Sequence, residues 1–218
     1  MEYVDVIFYI NLEHRTDRRA HIEKTIQKLC NDPLKVVRID AVYTKDNGAL
    51  GCAMSHLDAL NKFRTNPAWK TCIILEDDFE FLNNDISQNN YKLKQIIENC
   101  PDWDAISLTY TPESLLYENM KKDNIIKVIF HSSTAGYMLK KGELLEKLIY
   151  CFRKSAFNLE KMNANIGSLN IDQTWRCIQS KYNWYSTIAP LGKFIDGYSD
   201  ISKMNMHFKE WNRFKSTV

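Results

Sequence analysis

The stretch Thr71-Cys72-Ile73-Ile74-Leu75 runs directly into three acids, Glu76-Asp77-Asp78. Its residues are apolar or small at odd and even positions alike, so as a strand it presents no polar face to water. Such a strand needs cover on both sides, and a parallel sheet between two layers of helices supplies it. The preceding residues fit that architecture. Val4-Asp5-Val6-Ile7-Phe8-Tyr9-Ile10 is β-branched and aromatic and predicts a first strand. A polar stretch, Asn11 to Arg19, leads into a helical pattern that ends near Leu29. Lys35 to Asp40 predicts a second strand, and Leu50 to Phe63 a helix with Ala53, Leu57, Leu60 and Phe63 on one face. The opening third therefore reads βαβαβ.

Beyond Phe81 the pattern is mixed. A polar segment from Asn83 to Asn90 precedes a helix expected from Tyr91 to Asn99. Strands are expected at Trp103 to Thr109, Ile125 to Phe130 and Ala135 to Leu139, and a helix from Lys141 to Phe152. Asn158 to Gly167 reads as a loop, Ile171 to Gln179 as a helix, and Trp184 to Ile188 as a last short strand. The 218 residues suffice for one well-packed α/β domain and fall short of two. The expectation is a Rossmann-like, mostly parallel central sheet flanked by helices, with a mixed extension in the second half.

Charge and cysteine usage narrow the function classes. Twenty-nine Lys and Arg against 27 Asp and Glu leave a net charge of +2, which supplies no field for nucleic acid. Six scattered cysteines form neither a CxxC pair nor a Cys/His cluster in sequence, so they read as reduced thiols and not as a zinc site or a disulfide framework. The amino terminus has no signal-peptide pattern, and no apolar run approaches the ~18 residues of a membrane span. The expected location is the cytoplasm, at most peripheral to a membrane.

Glu76-Asp77-Asp78 sits at the carboxyl end of a strand, where open α/β sheets bind ligands. Hard carboxylate oxygens suit Mg²⁺ or Mn²⁺ held together with substrate phosphates; the alternative is a solvated acidic turn. Asn11, Arg15 and Arg18 follow the first strand, where an amide and guanidinium groups could meet a nucleotide or its diphosphate. They could equally be the exposed start of a helix capped by Thr16-Asp17. Asp40 ends the second strand, where a Rossmann-like sheet places an acid on a ribose hydroxyl, or else a turn acid. Ser55 and His56 lie on a helix after Gly48 and Gly51, in a packing or donor-contact role.

Three segments taken together, Phe8 to Arg19, Leu50-Gly51-Cys52-Ala53-Met54-Ser55-His56 and Ile73 to Asp78, resemble glycosyltransferase family 25 in order and spacing. That family contains bacterial lipooligosaccharide galactosyltransferases and the galactosyltransferase domains that modify collagen hydroxylysine. Ser133-Thr134-Ala135-Gly136-Tyr137-Met138-Leu139 and Pro190 with Tyr198-Ser199-Asp200-Ile201 resemble its later segments. The resemblance implies a GT-A fold, a UDP-sugar donor, Mn²⁺ or Mg²⁺, an inverting transfer, and a glycan or protein hydroxyl as acceptor. It divides the chain into a donor half, 1–82, and an acceptor-side half, 83–218. Asp78 is then the direct metal ligand, Glu76 a second ligand or a contact to ribose or sugar, and Asp77 a donor contact. Asp172 is the candidate base, opening the helix after the expected acceptor loop, with a helix cap as its alternative. His207 is a candidate third metal ligand, since some metal-dependent GT-A enzymes recruit a late histidine; the alternative is a surface histidine. Trp175, Trp184, Tyr185, Tyr198 and Trp211 are either sugar-stacking or core aromatics. Two other classes compete: a metal-dependent phosphohydrolase or nucleotidyltransferase, and a non-catalytic sugar-nucleotide binding module.

Overall fold

An eight-stranded sheet forms the middle layer of the protein in a computed structural model that describes residues 3–120 and 124–208. The chain opens with β1 (Val6–Asn11), α1 (Thr16–Ile26), β2 (Val36–Asp40), α2 (Gly48–Thr65) and β3 (Thr71–Glu76), in the expected βαβαβ order. A short strand β4 (Phe79–Phe81) and helix α3 (Ile86–Asn99) follow. Next come β5 (Ala105–Ser107), β6 (Leu116–Asn119), β7 (Ile125–Phe130), β8 (Gly136–Lys140) and the long helix α4 (Glu143–Met162). Two single turns, α5 (Ile171–Thr174) and α6 (Arg176–Gln179), lead to β9 (Trp184–Thr187), β10 (Gly192–Phe194) and a hairpin of β11 (Gly197–Ser199) and β12 (Met204–Met206).

The sheet order is β2-β1-β3-β8-β5-β9-β7-β6. Six strands point one way; β8 and β7 run against them. Side chains alternate across this sheet, and each face has its own core. Ile7 and Tyr9 of β1 and Ile73 and Leu75 of β3 pack with Ile22 and Ile26 of α1 and Leu93 and Ile96 of α3. On the other face Phe8, Ile10 and Ile74 meet Leu60 and Phe63 of α2 and Leu148 and Phe152 of α4. Full burial of each such side chain contributes about 1.5–3 kcal/mol, so the doubly apolar strand is held from both sides.

Several boundaries depart from the expectation for local reasons. Helix α3 begins at Ile86, five residues before Tyr91, because the Asp85 carboxylate accepts the Ser87 amide at 2.8 Å and caps it. Helix α4 runs to Met162 and not Phe152, since Ser155 and Leu159 continue its buried stripe. It stops at Asn163, whose φ of 48° is left-handed. The polar stretch expected as a loop from Asn158 is thus helical for its first five residues. The helix expected from Ile171 to Gln179 is two single turns that meet at Trp175. Short strands β4 and β10 pair antiparallel, Phe79 opposite Phe194, and make a small second sheet.

Candidate functional site

Strand β1 has β2 on one side and β3 on the other, with α1 on one face of the sheet and α2 on the opposite face. The connections leaving β1 and β2, which lead to α1 and α2, therefore part at the carboxyl ends of these strands and open a crevice that the end of β3 borders. Register places Ile10 opposite Glu76, so Asn11 lies beside the three acids. A cavity of about 100 Å³ fills the crevice; Asn11, Arg18, Ser55, His56 and all three acids line it. A second cavity, about 230 Å³, adjoins it, with Cys52 and Glu76 facing both and Asp172 facing the second.

The three acids have distinct surroundings. Asp77 is buried and fully engaged: one carboxylate oxygen accepts Asn11 Nδ2 at 2.7 Å, the other Arg18 Nη1 at 3.0 Å. Burial still holds its carboxyl above the usual range, outweighing both partners. Glu76 accepts the Thr134 hydroxyl at 2.7 Å and faces His56 Nε2 at 3.2 Å. Burial works to raise the Glu76 carboxyl, but the His56 and Thr134 contacts hold it below the ordinary value. Asp78 is the unsatisfied member. Its Oδ2 is 3.5 Å from Arg18, while its Oδ1 is buried with no hydrogen-bond partner among the described residues. Burial, and then the neighbouring Glu76 charge, push Asp78 up to about 7. A partnerless carboxylate oxygen beside a second carboxylate is the donor set that Mn²⁺ or Mg²⁺ completes, so Asp78 and Glu76 fit such an ion.

Arg18 lines the crevice, whereas Arg15 lies outside its lining. Arg18 Nη2 donates to the Tyr198 carbonyl at 2.9 Å, and Arg15 Nη1 reaches Asp200 at 2.8 Å while its Nη2 holds Asp17 at 3.0 Å. Both guanidiniums thereby tie the carboxyl-terminal hairpin to the start of α1. The hairpin approaches α2 so closely that a Cβ on Gly48 would lie 2.8 Å from Ile201 Cα. Ser55 Oγ donates to the Gly51 carbonyl and accepts the Val42 amide at 2.9 Å, bracing the loop after β2. His56 is fully buried, its Nδ1 2.9 Å from the Tyr137 hydroxyl.

The remaining candidates lie apart from the three acids or behind them. Asp40 is 82% exposed, pairs with Arg38 and does not line the crevice. His207 is exposed, 3.4 Å from Asp196, and lines neither cavity. Asp172 faces the second cavity, where burial raises its carboxyl and the Ser133 amide and Gln173 Nε2 donate to it. Ser133 holds that position with φ at 105°, a left-handed conformation costing a non-glycine residue about 1–3 kcal/mol. Trp175, Trp184 and Tyr185 are buried, the two indoles edge to face at 5.0 Å, so they pack the core and stack on no ligand. Tyr198 is 43% exposed; Trp211 lies outside the described residues. Thr134, Tyr137, Cys52 and Asp200 join the site although sequence reasoning assigned them no role. For Cys52 the signal was available, since it precedes His56 by one helical turn.

No family model matches the sequence, and no curated protein does. Solved structures do resemble the fold. A197 from STIV superposes with a TM-score of 0.50 at 15% identity, with 93% of each chain covered. A glycosyltransferase involved in the glycosylation of the major capsid of PBCV-1 gives 0.41 at 11% identity, covering 72% of this chain and 67% of its own. A Drosophila β1,4-galactosyltransferase 7 mutant, solved with manganese, UDP-Gal and xylobiose, gives 0.44 at 9% identity, covering 96% and 79%.

Proposed function

We propose that this chain is a metal-dependent inverting glycosyltransferase that moves a hexose, galactose or glucose, from a UDP-sugar to a hydroxyl of a glycan or hydroxylated protein. The observation that carries the reading is Asp78, a carboxylate with one oxygen buried and partnerless in the crevice cavity. A buried carboxylate oxygen without a partner costs stability, and a ligand bound in the cavity would offset that cost. The resemblance of the opening third to glycosyltransferase family 25 points to the same chemistry.

The chain's own residues divide the work. Ile10, Leu12, Val42 and Tyr43 give the crevice an apolar lining for a nucleoside, and Arg18 offers a guanidinium to the diphosphate. Asp78 and Glu76 would hold the ion; when bound, it supplies positive charge to the leaving diphosphate. Asn11 and Arg18 keep Asp77 fixed, so the loop carrying Asp78 does not drift. Asp172, across the second cavity, accepts the proton of the acceptor hydroxyl as that oxygen forms its bond to the anomeric carbon. The bond from that carbon to the diphosphate oxygen breaks, and its electron pair leaves with the nucleoside diphosphate. Attack from the side opposite the leaving group inverts the configuration.

A thermal-shift screen of nucleotide sugars with and without Mn²⁺ tests the reading, because a ligand that binds only the folded state raises its melting temperature. A UDP-hexose should raise it in the presence of Mn²⁺ and lose the effect on chelation. A screen in which no nucleotide sugar shifts melting under either condition refutes the proposal.

A further inference from the structure

Cys52 and His56 stand one helical turn apart on α2, and both face Glu76 at the end of β3. The Cys52 thiol, a His56 ring nitrogen and a Glu76 carboxylate oxygen all lie within 4.8 Å of one another. All three residues line the crevice, which gives an ion a route to them. We propose that Cys52, His56 and Glu76 form a second metal site, one that takes a thiophilic divalent cation such as Zn²⁺ or Co²⁺, shares Glu76 with the oxygen-ligand site and does not need Asp78.

The donor set decides the class of ion. Sulfur, imidazole nitrogen and one carboxylate suit Zn²⁺ and Co²⁺, whereas Mg²⁺ and Ca²⁺ take oxygen ligands. His56 Nε2 and Glu76 Oε1 are 3.2 Å apart. With metal–ligand bonds of about 2.1 Å, that separation subtends about 100° at an ion, near the tetrahedral angle. The outer shell is also in place. Tyr137 Oη, 2.9 Å from His56 Nδ1, can accept the Nδ1 proton and so leave the Nε2 lone pair free for an ion. The Thr134 hydroxyl donates to the same Glu76 Oε1 at 2.7 Å and fixes that carboxylate in place. On binding, the thiol gives its proton to water and the thiolate ligates the ion. Three protein ligands leave a fourth position open, and Cys52 and Glu76 both face the two cavities, so that position meets whatever occupies them.

The inference goes beyond the transferase reading and does not depend on it. Its test is a titration of chelator-treated, full-length protein with Co²⁺ alone, followed by absorption. One equivalent should produce a thiolate-to-cobalt charge-transfer band in the near ultraviolet together with the visible bands of a four-coordinate ion. Both should disappear in Cys52→Ser and persist in Cys177→Ser, which changes an exposed thiol elsewhere, and in Asp78→Ala. Zn²⁺ should raise the melting temperature of the wild type and not of Cys52→Ser. Cys52→Ala is the second variant where serine lowers metal-free melting. Absence of the charge-transfer band at equimolar Co²⁺, or its survival in both Cys52 variants, overturns the proposal. Its loss in Asp78→Ala overturns the claim that this site does not need Asp78. Mn²⁺-dependent donor binding is read independently of these bands, so either claim can fail alone.

Discussion

Lowering the pH from 7.5 to 5 should cost the protein about 2 kcal/mol through one buried histidine, His131, whose surroundings accept only its neutral form. Trp184 Nε1 donates to Ser107 Oγ at 2.5 Å, the Ser107 hydroxyl donates to His131 Nε2 at 2.5 Å, and His131 Nδ1 donates to the Ser132 carbonyl at 2.9 Å. Every proton in that chain is used, and a second ring proton would meet the Ser107 hydroxyl hydrogen. Trp175 packs edge-on at 5.3 Å and excludes water from the ring. Burial is the main cause that pushes His131 down from 6.5 to about 4; the Ser132 carbonyl opposes the shift and Arg176 adds to it. The folded value lies below the unfolded one, so the unfolded chain takes up the proton first as pH falls. The stability is complete above about pH 7 and is lost on the way down to pH 4. The fall from 6.5 to about 4 corresponds to a total of about 3 kcal/mol, of which about 2 is gone by pH 5. Urea denaturation across this range, compared with His131→Gln, isolates the effect because other titrating groups are common to both proteins. Parallel stability–pH curves for wild type and variant would refute the reasoning. The consequence reaches the site, since His131 anchors the segment that carries Ser133 to Asp172 and Thr134 to Glu76.

Gly51→Ala should destabilise the protein by about 1–3 kcal/mol in urea titrations, because the added Cβ overlaps the Val42 carbonyl and forces the crevice loop away from α2. Arg18→Ala leaves Asp77 buried without its cation, and a loss of about 3 kcal/mol is expected together with weaker donor binding by calorimetry. Arg18→Lys restores the charge but not the forked contact to Asp77 and Tyr198, so its donor affinity should stay below wild type. Asp172→Asn should lower kcat by about 10²–10⁴-fold while donor affinity is kept, as expected of a group that acts on the acceptor proton.

The first half of this architecture was legible because its signals are local. The doubly apolar run Thr71–Leu75 and the first strand predicted a sheet covered on both faces, and β1, β3 and both flanking layers bear that out. The second half depends on long-range pairing. Nothing local in Gly136 to Lys140 says that this strand runs antiparallel between β3 and β5, yet that placement sets Thr134 on Glu76 and Tyr137 behind His56. The reach of α4 was missed because Ser155, a polar residue, interrupts the apolar stripe that Leu159 resumes. At the site, the acids and Arg18 stood out by residue type, and the crevice brings them together. Asp40 followed from strand-end position alone, and its side chain lies in solvent beside Arg38. Asp200 was invisible as a partner because 185 residues separate it from Arg15, which it pairs with across the hairpin.

The most direct test of the central claim is product analysis after incubating the protein with Mn²⁺, a UDP-hexose and a hydroxyl acceptor. Nucleoside diphosphate should be released in step with sugar transferred, and both should be lost in Asp78→Ala and on chelation. Release of orthophosphate or pyrophosphate, or turnover unchanged by chelation and by Asp78→Ala, would contradict it.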